Sequence, residues 1–281
     1  MAIVAWIMSI FTSIFNVIMA PFKSMHPVVG LLVISILTGI VMLLIFGKTS
    51  NQKAIRKAKG LLKAYIAEIW LFRDDLLQML SAIIRVLGNT GRYFLHSLRP
   101  LIFILIPVLI IMINLGIRYE KRPFKPGEEA TVTVTLSDLA WTKSDAIVLS
   151  GSEGVEVITP PLRIPQLGEI EWRIRVASPG EHELKIQTPA GTETKRITVD
   201  ESGDRLTPMA PARGHAFSEA YLLYPVEPPL PGQSGIRKIE VKGWPSRDLA
   251  VFGFGIHWLV FFFVISLIAG FAVKGAFGVE V

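Results

Sequence analysis

The residues of this chain that could do chemistry are few. Histidines stand at positions 26, 96, 182, 215 and 257, none at the spacing of a metal-ligand set. There is no cysteine, which excludes disulfides, thiolate metal sites and cysteine nucleophiles. Ser50-Asn51-Gln52-Lys53 matches an S-x-x-K pattern but lacks partner motifs, and it reads as the start of a helix. Ser152 lies in Gly151-Ser152-Glu153-Gly154, a turn and not a nucleophile elbow. His182 falls in an alternating strand, as core or edge filling. No phosphate loop is present. The chain is therefore expected to be no enzyme, and to need no cofactor or metal.

A second set of polar residues interrupts long apolar runs. Ser35 and Thr38 fall in residues 28–47, Asn114 in 101–117, and His257 and Ser266 in 249–273. Inside a bilayer such groups must find partners or water. Two readings follow. The polar groups join helices to one another, with Ser266 and Gly270 as a small-xxx-small contact, or they line a shallow polar groove.

The elements that would position these residues follow from hydropathy and charge. Three apolar runs in a chain that is 51% hydrophobic point to a membrane protein rather than one soluble core. Residues 48–99 carry ten basic and three acidic residues, a net of +7, whereas 118–248 carry 17 basic and 19 acidic. Short loops rich in Lys and Arg stay in the cytoplasm. That places 48–99 and the C-terminus inside, with the N-terminus and 118–248 outside the cell (inner) membrane. Lys53, Arg56, Lys57 and Lys63 are the candidate cytoplasmic basic face. Topology and anionic lipid headgroups account for it, without a specific nucleic acid partner.

The basic segment is helical by pattern. Ile55, Ala58, Leu62, Tyr65, Ile69 and Phe72 form one apolar seam, and Leu76, Leu80, Ile83 and Leu87 a second. Gly88–Gly91 is the stronger turn by composition. A first arm reaching Leu87 would rise about 55 Å, however, and residues 92–99 span only about 28 Å when extended. A turn at 72–75 gives two arms of roughly 33 Å each, with Asp74 or Asp75 capping the second.

Residues 1–20 are apolar and uncharged, with a weak polar stripe at Ser9, Thr12, Ser13 and Asn16. They suit a helix lying in the interface, with a fourth span as the alternative. From about Pro123, alternation at 130–136, 170–176, 182–186 and 197–199, punctuated by Pro-Gly turns, reads as a small antiparallel β-sandwich. Residues 201–248 are Pro-rich and expected as an extended linker with room for one strand at 236–241. Trp244 and Trp258 are expected in an aromatic belt at the outer end of the last span. The expected domains are an interfacial helix (1–26), a first span (27–47), the hairpin (48–99), a second span (100–117), an extracytoplasmic Ig-like β-sandwich (118–200), the linker (201–248), a third span (249–273) and a cytoplasmic tail (274–281). The fold class is thus a three-span α-helical membrane protein with an inserted all-β domain.

This layout, with Leu98-Arg99-Pro100 entering the membrane and Ile106-Pro107 inside it, resembles the YidC/Oxa superfamily of membrane protein insertases. The three-span archaeal and ER members are the most similar, over roughly residues 1–118 and 250–281. The resemblance implies an insertase or chaperone that contacts the lipid bilayer and nascent membrane proteins or the ribosome. It also implies Ser35, Thr38 and Asn114 as groove residues. Two departures stand out: the β-domain, and the lack of any Lys or Arg within the three expected spans. The alternative is a membrane-anchored Ig-like module that binds an extracytoplasmic protein partner.

Overall fold

The computed structural model describes residues 2–22, 25–71, 76–247, 249–251 and 254–280. The chain divides into two compact units. One comprises Leu31–Ile110 and Leu259–Val281, the other Met1–Gly30 and Ile111–Trp258.

Helix α1 (Ala2–Met19) ends in a 3-10 turn, Ala20–Phe22. Helix α2 (Pro27–Thr49) starts on proline, whose fixed φ and missing N–H suit a first helical position. Asn51 separates it from α3 (Gln52–Leu71) and caps that helix, its Oδ1 accepting from Ala54 N at 3.0 Å. Helix α4 (Leu76–Tyr119) runs without interruption for 44 residues, through Pro100 and Pro107. Gly88 and Gly91 lie in its interior, so no turn occurs there. The turn expected at 72–75, with Asp74 and Asp75, lies outside the described residues.

The two arms run side by side. Arg85 pairs with Glu68 and sits 5.6 Å from the Tyr65 ring centroid, and Asn89 Nδ2 donates to Ala58 O at 2.8 Å. Ile55, Ala58 and Asn89 are buried. Leu80 and Leu87, expected in the seam facing α3, are exposed instead. A heptad pattern records that a helix face seeks a partner; it does not record which partner.

The apolar run 249–273 is not one helix. Strands β10 (Leu249–Val251) and β11 (Phe254–Ile256) pair as a hairpin, and only α7 (Trp258–Val273) is helical. Gly253, Gly255 and His257 interrupt the helical pattern ahead of Trp258. Sixteen residues rise about 24 Å, short of the ~30 Å hydrocarbon core. Two helical segments, Pro27–Thr49 and Pro100–Tyr119, are long and apolar enough to cross a membrane.

The other unit is built on antiparallel sheets. Its strands are β1 (Glu129–Leu136), β2 (Val148–Ser150), β3 (Val155–Val157), β4 (Leu162–Ile164), β5 (Glu169–Val176), β6 (Gly180–Thr188), β7 (Gly191–Val199), β8 (Ala212–Gly214) and β9 (Ile236–Lys242), with the short helices α5 (Asp138–Trp141) and α6 (Glu219–Leu223) between them. One sheet has the order β3-β5-β1-β9-β8 with β4 also on β5; the other is β2-β6-β7. Alternate residues of both fill one core: Val132, Val134, Ile170, Trp172 and Ile174 from the first, Leu184, Ile186 and Ile197 from the second. The β6-β7 hairpin closes at Gly191, whose φ of +145° only glycine adopts readily.

The segment expected as a linker is part of this unit. Strand β9 lies between β1 and β8, with Val132 opposite both Trp172 and Val241. Most of the prolines lie in chain without regular secondary structure, and that chain is packed rather than free. Trp244 belongs to the same core, its ring 4.3 Å from that of Phe124, so it is no belt residue. The chain enters and leaves side by side: Lys121 bridges Ser246, and Arg122 N donates to Pro245 O at 3.0 Å.

Candidate functional site

In the helical unit, α2, α4 and α7 border an open-sided cavity of about 360 Å³. Helix α2 contributes Thr38, Gly39, Met42, Leu43 and Phe46, α4 contributes Leu101, Ile104 and Val108, and α7 supplies Phe262, Phe263, Ser266, Leu267, Gly270 and Phe271. Gly39 and Gly270 let α2 and α7 approach closely at its edge. A Cβ built on Gly39 would stand 2.2 Å from Ser266 O, and one on Gly270 would stand 3.3 Å from Gly39 O. This is a small-residue helix contact of the kind that lets backbones touch without large side chains.

The five expected groove residues separate. Thr38 and Ser266 line the cavity and, among the described residues, are the only lining residues with a polar side chain. The Ser266 hydroxyl is already committed, donating to Phe262 O at 2.6 Å. Ser35 is buried outside the lining and donates to Leu31 O at 2.6 Å. Asn114 and His257 belong to the other unit; Asn114 is buried there, and His257 is exposed beside the Trp258 ring at 5.8 Å. The cavity is therefore apolar, with one uncommitted hydroxyl type at its wall. Short hydroxyl side chains in helices back-bond to the carbonyl one turn earlier, which commits the Ser35 and Ser266 protons and leaves their oxygens as acceptors only.

The basic face is present as charge. Lys53, Arg56, Lys57 and Lys63 are all exposed on α3. The C-terminal tail lies across its first turns. Glu280 pairs with Lys59 at 3.3 Å and with Arg56 at 3.8 Å, and its N–H donates to Gln52 Oε1 at 2.8 Å. Val279 packs at Gly47. Exposed pairs of this kind each contribute about 1 kcal/mol or less.

Two buried cations were not found as site residues from sequence. Arg118, expected just beyond the second span, occupies the last turn of α4 with its side chain buried. It donates to Asn114 O and to Asn16 Oδ1 and lies 5.3 Å from the Phe15 ring centroid. Among the described residues it has no carboxylate partner. Asn16 belongs to the weak polar stripe of α1, which was the available signal: one edge of that stripe serves a cation and not the interface. The neighbouring Tyr119 hydroxyl donates to Pro27 O at 3.2 Å. Together these bonds tie α1 and the start of α2 to the end of α4.

Lys195, at an inward position of β7, is fully buried and pairs with Glu227 from the Pro-rich segment. It also donates to Ala210 O, while Glu227 Oε1 accepts from Arg196 N at 2.7 Å. Arg213 adds an ion pair to Glu193 at 3.3 Å and donates to Pro228 O at 2.8 Å. Burial pulls the Lys195 ammonium below the usual lysine range, and the Glu227 carboxylate opposes that pull. The cluster fastens the Pro-rich segment to the sheet. It has no open face for a ligand, and it reads as structural.

No protein-family model matches this chain, and no curated protein matches it in sequence.

Proposed function

We propose that the chain is a multi-pass membrane protein that assists the insertion of other membrane proteins, in the manner of the YidC/Oxa superfamily it resembles. In this reading the β-sheets form an Ig-like sandwich outside the membrane, and the hairpin and tail face the cytoplasm. The observation that carries it is the apolar cavity walled by α2, α4 and α7. A cavity among apolar helices gives an arriving apolar segment a packing surface before it is surrounded by lipid. The mechanism needs no nucleotide and no covalent step. Its energetic content is apolar burial, about 25 cal/mol per Å², offered at a site where the helices leave space. The basic face supports contact with anionic lipid headgroups or a ribosome.

The test is site-specific photocrosslinking during translation. Probes at Met42 and Ile104, which line the cavity, should crosslink to newly made membrane proteins. A probe at Val41, exposed on the same helix and outside the lining, should give far fewer. Equal yields from all three, or crosslinks to one stable partner independent of translation, would sink the proposal.

A second reading, a membrane-anchored binding module, is favoured by the separate core of the β unit. The adjacent entry and exit strands make the discriminating experiment practicable. Residues 123–243 can be replaced by a short linker, since Arg122 and Pro245 are already hydrogen-bonded. Insertion activity that survives the deletion favours the first reading, and complete loss with normal abundance favours the second.

A further inference from the structure

We infer that α4 is a self-association helix, pairing with α4 of a second copy of this chain through a seam outside the bilayer. The seam is Leu80, Ile84, Leu87, Gly91, Phe94 and Leu98, a 4-3-4-3-4 spacing over nearly three heptads. It faces away from α3. Asn89, which meets Ala58, lies between Leu87 and Gly91 in sequence and so on the opposite side of the helix. The side chains along it are exposed: Leu80 47%, Ile84 69%, Leu87 66%, Phe94 60% and Leu98 36%. Among the described residues outside its own turn, none comes within 4 Å of a Cβ built on Gly91, so a second backbone can come close there.

Three observations select a second copy as the occupant. The spacing is that of a helix pair, not of the broader 3.6-residue face that suits a flat bilayer surface. The flanking positions Ser81, Ile83, Gly88 and Thr90 carry no charge. Heterotypic coiled coils use charges at these positions to choose partners, and an uncharged flank lets identical helices meet without repulsion. The area also suffices: two copies joined along the seam would remove on the order of 1,000 Å² from water, the lower bound for a specific interface. Parallel order, with each residue facing its own counterpart, rests on the membrane orientation proposed above; the pairing itself does not.

The chain lacks cysteine, so single cysteines report cleanly. Full-length protein in phosphatidylcholine vesicles, with Ile84→Cys, Leu87→Cys or Phe94→Cys, should form covalent dimers under mild oxidation. Thr90→Cys, exposed on the same helix but off the seam, should form about tenfold less. Light scattering of the detergent-solubilised chain should find two copies per particle, and one copy for the Ile84→Lys/Leu87→Lys double variant. Both replaced side chains are exposed, so its thermal stability should match the parent, which separates lost pairing from lost folding. Two copies per particle without the cysteine pattern overturns the parallel order and leaves the pairing standing. One copy per particle in the parent, lipid quenching of a fluorophore at Leu87→Cys without dimers, or crosslinks only to a different protein in cells each overturns the pairing.

Discussion

Replacing Gly39 by alanine probes the close contact between α2 and α7. The new methyl would stand 2.2 Å from Ser266 O, 3.0 Å from Ser266 C and 3.1 Å from Ser266 Cα, all backbone atoms that cannot rotate aside. Carbon–oxygen contacts settle at about 3.3–3.6 Å, so α7 must withdraw by about 1 Å. Overpacking of this kind costs about 1–3 kcal/mol, while alanine in place of glycine in a helix returns about 1. The net loss is about 0–2 kcal/mol. Gly60 and Gly88 supply the control: both are helical, and nothing lies within 4 Å of a Cβ there. Gly60→Ala and Gly88→Ala should be stabilising by up to about 1 kcal/mol. Thermal unfolding of the purified full-length chain in one detergent gives the comparison, at about 2–4 °C per kcal/mol. If Gly39→Ala melts together with Gly60→Ala, α2 and α7 do not cross at Gly39.

The buried pair gives a non-additivity test: Lys195→Met or Glu227→Gln alone should cost about 3–5 kcal/mol in denaturant unfolding, and Lys195→Met/Glu227→Leu less than the sum of the singles. For pH, the Arg122 hydrogen bond holds the Glu128 carboxyl below its usual value near 4.5, and the Lys242 hydrogen bond does the same for Glu171. Each group binds fewer protons folded than unfolded, so its contribution is present above about pH 4.5 and is lost as the pH falls through the depressed folded value. Acid unfolding of Glu128→Gln should accordingly be less steep than that of the parent; an unchanged profile would count against the Arg122 pairing. The orientation is tested by impermeant thiol reagents on intact cells, which should label Glu183→Cys and spare Asn51→Cys; the reverse labelling overturns the proposed topology.

Local periodicity was legible in this sequence wherever the cause of structure is local. Val132, Val134, Ile170, Trp172 and Ile174 alternate with polar residues because one face of the sheet is buried, and the two β-bends at Gly180 and Gly191 stand on residues suited to positive φ. Non-local causes left weaker marks. Nothing adjacent to 236–242 says that it pairs on one side with β1, a strand about a hundred residues earlier. Lys195 looks like an ordinary surface residue until Glu227 is brought to it by the Pro-rich segment. Sequence shows the Ser35 and Ser266 hydroxyls but not the carbonyl one turn back that takes each proton, nor that Ser266 lines the cavity while Ser35 does not. Arg118 looked solvated because hydropathy marks the end of an apolar run and not the depth at which the chain stays covered.

The internal position of β9, between β1 and β8, sets an order of events during biosynthesis. Strand β1 is complete once residue 136 has been made, and its first partner β5 by residue 176, but the other edge of β1 stays open until residue 242 arrives. Through that interval the nascent domain carries an unpaired strand edge of high β-propensity, the type of surface that recruits strands from other chains. The Lys195–Glu227 clasp closes in the same interval, just ahead of β9. It holds the intervening segment against the sheet, and β8, whose strand partner is β9, joins the sheet once β9 lies beside β1. A chain halted between residues 199 and 236 therefore carries most of the core residues and no closed sheet, and its folding is governed by how quickly the last forty residues follow.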